Sequence, residues 1–220
     1  GNAPDRGQSS RAAAGTGGEE PVALGADISL NTITGDYTGG ALNRRVRLEA
    51  DTGTRTLTLN GTNPVIDTDH TNGGDGSHNG LVIDETVLLS GTDGFTKTGK
   101  GRMEIQGDAS GLTGDVYLGG GFIYLNSGTT SRNLRNVDNF YLDGGSFRVT
   151  ATGTGLNDLV GDSAVVYLRG GGPSTLQYTG RRDASNPGTE TIDQLVLQAS
   201  GQVDLSSSTG SGSSNGVLTL

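Results

Sequence analysis

VYLGGGFIYL, residues 116–125, reads as a short strand, a glycine turn and a second short strand. The phrase recurs as FYLDGGSFRV (140–149), VYLRGGGPSTLQY (166–178) and LVLQASGQVDL (195–205). The Leu that closes the first strand stands at 118, 142, 168 and 197, at intervals of 24, 26 and 29 residues. Self-similarity at such a period marks a solenoid, in which each repeat buries its apolar face against its neighbours. Within each copy the alternation has period two: Val116 and Leu118 share one face and Tyr117 takes the other. The same parity pairs Phe140 with Leu142 against Tyr141, and Val166 with Leu168 against Tyr167. It also points Leu195 and Leu197 inward and Val196 outward. Stacked coils would join the inward residues into continuous ladders. No stretch shows the i, i+3, i+4 spacing of an amphipathic helix. The expected fold is all-β, a right-handed parallel β-helix with essentially no α-helix; the handedness comes from the resemblance given below.

The composition agrees. Of 220 residues 40 are Gly, with no collagen triplet, so the glycine serves turns. Apolar residues make up 31 %, little for a compact globule but enough for coils that each bury a narrow stripe. The net charge of −9 is the wrong sign for a nucleic-acid binder. There are no cysteines, which removes disulfides and thiolate metal sites. No apolar run approaches a membrane span, so no insertion by this segment is expected. Residues 1–22 lack apolar periodicity and read as an arm or linker; residues 23–220 read as the solenoid. The chain opens without Met and stops within the strand-like GVLTL, which reads as a segment of a longer protein.

Residues 95–127, FTKTGKGRMEIQGDASGLTGDVYLGGGFIYLNS, carry the most specific pattern. Lys97, Gly99, Gly101, Met103, Ile105, Gly107, Gly114, Val116 and Leu118 fall at the positions of a Lys-x-Gly-x-Gly-x-Leu-x-Leu-x-Gly phrase followed by a turn and a strand. This resembles the autotransporter-associated β-strand repeat. Met103 and Ile105 replace the usual Leu pair, and Tyr117 stands within the strand. The resemblance implies a right-handed β-helix displayed on a bacterial cell surface, extracellular, and it implies no catalytic residues.

Tyr117, Tyr141 and Tyr167 should form an outward column. Such a column can stack on sugars or on a neighbouring chain. The simpler reading is that Tyr suits strands and stacks on itself. Asp115, Asp138, Asp162 and Asp193 precede the same strand in each copy, and a parallel stack would set adjacent ones roughly 5 Å and alternate ones roughly 10 Å apart, in the range that glycosidases use. Their offsets from the closing Leu vary, and Asp is also a common turn residue. Asp67, Asp69 and Asp75, in the polar stretch 67–80 with His70 and His78, are calcium candidates because a hard cation wants alternating carboxylates. Neither the EF-hand nor the nonapeptide roll template is completed, so no cofactor is the expectation. Arg44, Arg45 and Arg47 read as a solvated strand face, and Arg181 and Arg182 as a turn. The expected role is a non-enzymatic rod, fibre or adhesin that associates with its own kind or continues in a longer chain. Cell-surface glycans are possible partners. The rival reading is a polysaccharide-binding or polysaccharide-cleaving β-helix.

Overall fold

The structure, a computed structural model, describes residues 18–37, 44–70, 80–126, 134–151, 159–180, 188–199, 201–207 and 217–220. These residues contain strands and turns and no helix. The chain winds through successive coils that stack in parallel. The first coil holds β1 (Gly18–Leu24), β2 (Ile28–Leu30) and β3 (Thr32–Tyr37); the second holds β4 (Arg44–Ala50), β5 (Arg55–Leu59) and β6 (Val65–His70). The third holds β7 (Gly80–Ile83), β8 (Val87–Gly91) and β9 (Phe95–Thr98), and the fourth β10 (Arg102–Ile105), β11 (Gly111–Leu112) and β12 (Gly114–Leu118). The fifth has β13 (Phe122–Asn126) and β14 (Val137–Leu142); the sixth has β15 (Gly145–Ala151) and β16 (Val165–Leu168). The seventh regains three, β17 (Ser174–Gly180), β18 (Thr189–Thr191) and β19 (Gln194–Leu197), and the eighth adds β20 (Gly201–Ser207) and β21 (Val217–Thr219). The first strand therefore starts at Gly18, ahead of the boundary expected at residue 23.

Every pairing is parallel and joins a strand to its counterpart one coil on. Sheet A runs β1-β4-β7-β10-β13-β15-β17-β20, sheet C runs β3-β6-β9-β12-β14-β16-β19, and sheet B runs β2-β5-β8-β11. This is a parallel β-helix. Leu118, Leu142, Leu168 and Leu197 are direct partners in sheet C, so the spacing of 24, 26 and 29 residues is the register itself. Sheet A carries two inner ladders, one running Val46, Leu81, Met103, Ile123, Phe147, Leu176 and the other Leu48, Ile83, Ile105, Leu125, Val149, Tyr178. Across the core Phe140 of sheet C stacks on Phe147 of sheet A with ring centres 4.7 Å apart. Burying each such side chain stabilises the stack by about 1.5–3 kcal/mol.

Among the described residues, sheet B continues as a ladder no further than β11. Beyond β11, side chains and a single bridge do what a ladder does elsewhere. Asn136 Nδ2 donates to the Ser110 carbonyl at 2.6 Å between coils four and five. A lone parallel bridge joins Leu134 to Val160 between coils five and six. Between coils six and seven the buried carboxylate of Glu190 accepts the backbone N–H groups of Leu159 and Val160, both at 2.9 Å. Those amides would otherwise be buried without a partner, at a cost of about 1–3 kcal/mol each.

The corner from sheet C into sheet A is where glycine is required. Gly121 holds φ at +67°, and a Cβ there would lie 2.3 Å from the Gly101 carbonyl oxygen of the coil before. Successive coils touch backbone to backbone at this corner, with no room for a side chain.

The inward parity of Leu195 and Leu197 needs one correction. Leu195 is half-buried but Leu197 is 64 % exposed. β19 is the outermost strand of sheet C, so no described coil lies over Leu197.

Candidate functional site

The outward tyrosines form the expected column. Tyr117, Tyr141 and Tyr167 are register partners in sheet C, and their rings stack at 4.7 Å between centres, tilted by 17° and 18°. Stacking uses the ring faces within the column, so solvent meets ring edges and hydroxyls. That geometry favours self-stacking over platform-type contact with sugar faces. Thr96 precedes the column in register and Val196 follows it, which limits it to three rings. Arg169 places its guanidinium 4.0 Å from the centre of the Tyr141 ring and 3.8 Å from Asp143. Tyr117 donates to Asp115 at 3.4 Å, and Asn139 donates to the same carboxylate at 2.7 Å. Partial burial and the neighbouring Asp115 charge raise the Tyr117 and Tyr141 hydroxyls above their usual range.

The four aspartates that precede these strands are not brought into one column. Asp115 is held by Asn139 across the bulge between β12 and β14. Asp138 is exposed on β14, Asp162 is exposed in a turn, and Asp193 sits beside Ala164, whose carbonyl accepts its amide. The unequal offsets in the sequence are thus real differences in position.

Asp67 and Asp69 lie on β6, flanking Thr68, which is buried. Asp67 accepts a hydrogen bond from Thr98 at 2.8 Å. Asp75 and His78 lie outside the described residues, as do Arg181, Arg182 and the side chain of His70. Among the described residues no group of three or more His, Asp or Glu is placed to hold a metal ion.

Lys97 is the largest surprise. It pairs with Ile66 on one side and Leu118 on the other, inside the core ladder of sheet C, and is fully buried. Its ammonium donates to the carbonyls of Thr98, Gly99 and Gly120. It thereby ties coil three to the turn of coil four. Burial pulls its pKa down to about 8, against an opposing pull from Asp67 and Asp69. The sequence signal was parity: Lys97 falls two residues from Phe95, on the buried face of β9.

The outer face of sheet A is the second patterned surface. Arg45 and Arg47 are half-buried and paired, rather than solvated. Arg45 contacts Glu19 at 3.1 Å and Glu104 at 3.2 Å. Arg47 pairs with Glu19 and Asp84, and donates to Gln106 at 2.9 Å. Glu104 also binds Arg102 and accepts from Gln106 at 2.7 Å. Arg45 and Glu104 stand two coils apart. The coil between them presents Gly80 and Val82 at the matching positions, low enough for the bridge to pass over them. Val82 and Glu104 are fully buried under this roof.

Beyond the roof the face changes character. Phe122 and Tyr124 stand two residues apart on β13, both outward and both partly exposed. Arg102, from the coil before, sits 4.2 Å from the Tyr124 ring centre; Arg148, from the coil after, sits 4.1 Å from that of Phe122. With Thr150, Gln177 and Thr179 they line an open groove of ≈ 310 Å³.

Comparison with protein-family models, with curated proteins and with solved structures finds no match to this chain.

Proposed function

We propose that this chain is a stretch of a structural β-helix rod, displayed outside a bacterial cell and lengthened by adding coils to an open end. The observation that carries the reading is the contrast between its two edges. β1 places Glu20 at an inner-ladder position opposite Val46 and follows it with Pro21. An inward charge and a proline are the features that discourage strand addition at an edge. At the other end β19 and β20 offer Leu197 and Val203, 64 % and 39 % exposed, with no such guard. These positions suit a further parallel coil, contributed by a longer chain or by a second copy. The resemblance of residues 95–127 to autotransporter-associated repeats supports surface display, and the register of sheets A and C along the axis supports a mechanical role over a catalytic one.

The test is assembly of the 220-residue chain, followed by light scattering and electron microscopy. Wild type should form end-to-end oligomers or filaments, and Leu197→Lys with Val203→Lys should return short single rods. Single rods for wild type at tens of micromolar, with no growth over time, would refute self-addition of copies.

A further inference from the structure

We infer that the groove on the outer face of sheet A binds a polysaccharide chain bearing carboxylates. The inference does not depend on end-to-end assembly, because the groove lies on the side of the rod.

The groove is built rather than incidental. One strand supplies two outward rings, and the neighbouring coils each supply an arginine that lies against one of them. Stacking engages the face of a guanidinium and restricts its rotamers. Its N–H donors lie in the guanidinium plane, in the fork that matches a carboxylate. A held arginine loses less freedom when it binds than an extended one does.

Charge points the same way. On the lining strands β10, β13, β15 and β17 the outward charged side chains are Arg102, Arg148 and Glu104, and at the far end Gln177 donates to Asp204 of the next coil at 3.2 Å. The Glu104 side chain is only 1 % exposed, against 15 % for Arg102. Glu104 is paired with Arg102 beneath the surface, so the cation at the middle of the groove is the Arg148 guanidinium, on a chain whose net charge is −9. The rest of the lining is hydroxyl and amide: Thr150, Thr179 and Gln177. Such groups suit a ligand rich in hydroxyls and offer little to a lipid tail. The lining residues belong to β10, β13, β15 and β17, so the groove follows the axis across coils four to seven. An extended chain fits that course better than a compact molecule.

The probe is oligogalacturonate, titrated calorimetrically into the 220-residue chain, with its methyl ester and poly-glutamate as comparisons. Binding should be measurable for the acid form, weakened by salt, and at least about tenfold weaker for the ester, the loss expected for a charge-assisted pair. Arg148→Gln and Tyr124→Ala should each weaken it about tenfold while Tyr141→Ala, on sheet C, leaves it unchanged. Retained circular dichroism would show that the variants still fold. Absence of binding by folded wild type, equal binding of acid and ester, or indifference to Arg148→Gln would overturn the site. Poly-glutamate binding as tightly as the saccharide would overturn the ligand class.

Discussion

The ammonium of Lys97 donates to the carbonyl of Gly120, 3.4 Å away and one coil further along the axis. A cation buried among Leu and Ile ladders holds its proton less tightly than it does in water. Its folded-state pKa is about 8, against 10.5 for an ordinary lysine. Below pH 8 both folded and unfolded chains carry the proton, and no gain appears. Between about pH 8 and 10.5 the unfolded chain binds more protons, so stability rises with pH, by on the order of 3 kcal/mol at most. From about pH 10 Tyr117 and Tyr141 work in the opposite direction, because their values are raised and the unfolded chain loses those protons first. Urea midpoints between pH 7.5 and 9.5 should therefore climb for wild type and stay flat for Lys97→Met. A flat wild-type curve would argue against a buried cation at this position.

The tyrosine column predicts an unequal response to truncation. Tyr141 stacks on two rings, Tyr117 and Tyr167 on one each. Tyr141→Ala should cost about 1 kcal/mol more than either neighbour, the worth of one further aromatic pair. Urea unfolding of the three single variants measures this. Equal losses would mean that the rings act as separate strand residues.

Glu190 predicts a local defect. Gln has one carbonyl oxygen where the carboxylate has two, so Glu190→Gln leaves one of the two N–H groups at Leu159 and Val160 without an acceptor. A loss of about 1–3 kcal/mol is expected. Because coils depend chiefly on their neighbours, faster amide exchange should concentrate in coils six and seven. Exchange unchanged at Leu159 and Val160 would contradict the contact.

Gly121→Ala combines a left-handed backbone with a clash against Gly101. It should cost about 2 kcal/mol or more, whereas Ala at the exposed Gly119, where a Cβ has more space, should be tolerated. Thermal melts of the two variants separate the effects.

Sheet C was open to reading from the chain alone, because its strands repeat Val-Tyr-Leu or a near variant at intervals short enough to recognise. Sheet A was only partly so. Its inner residues alternate cleanly, but the roof of ion pairs depends on Gly80 and Val82 lying between Arg45 and Glu104, a relation across coils that no local pattern carries. Glu190 gave no signal at all: a single Glu in TET looks like any polar turn, and the two amides that receive it, at Leu159 and Val160, belong to the coil before. Lys97 showed its inward parity, yet a lysine among apolar partners reads as an exposed residue until the three carbonyls that receive it are in place. The groove lay hidden for a related reason, since Arg102, Phe122, Tyr124 and Arg148 meet diagonally across three strands.

Among the described residues the three-ladder part of the rod ends at coil four, and its stiffness is therefore uneven. Hydrogen bonds of a β-helix point along its axis, so tension passes from coil to coil through them in series. The three junctions among coils one to four share that tension among three ladders. Between coils four and seven two ladders carry it, helped by Asn136, one bridge at Leu134 and the carboxylate of Glu190. Under a steady pull the rod should stretch and twist there first, leaving coils one to four intact: a spring joined to a stiffer segment.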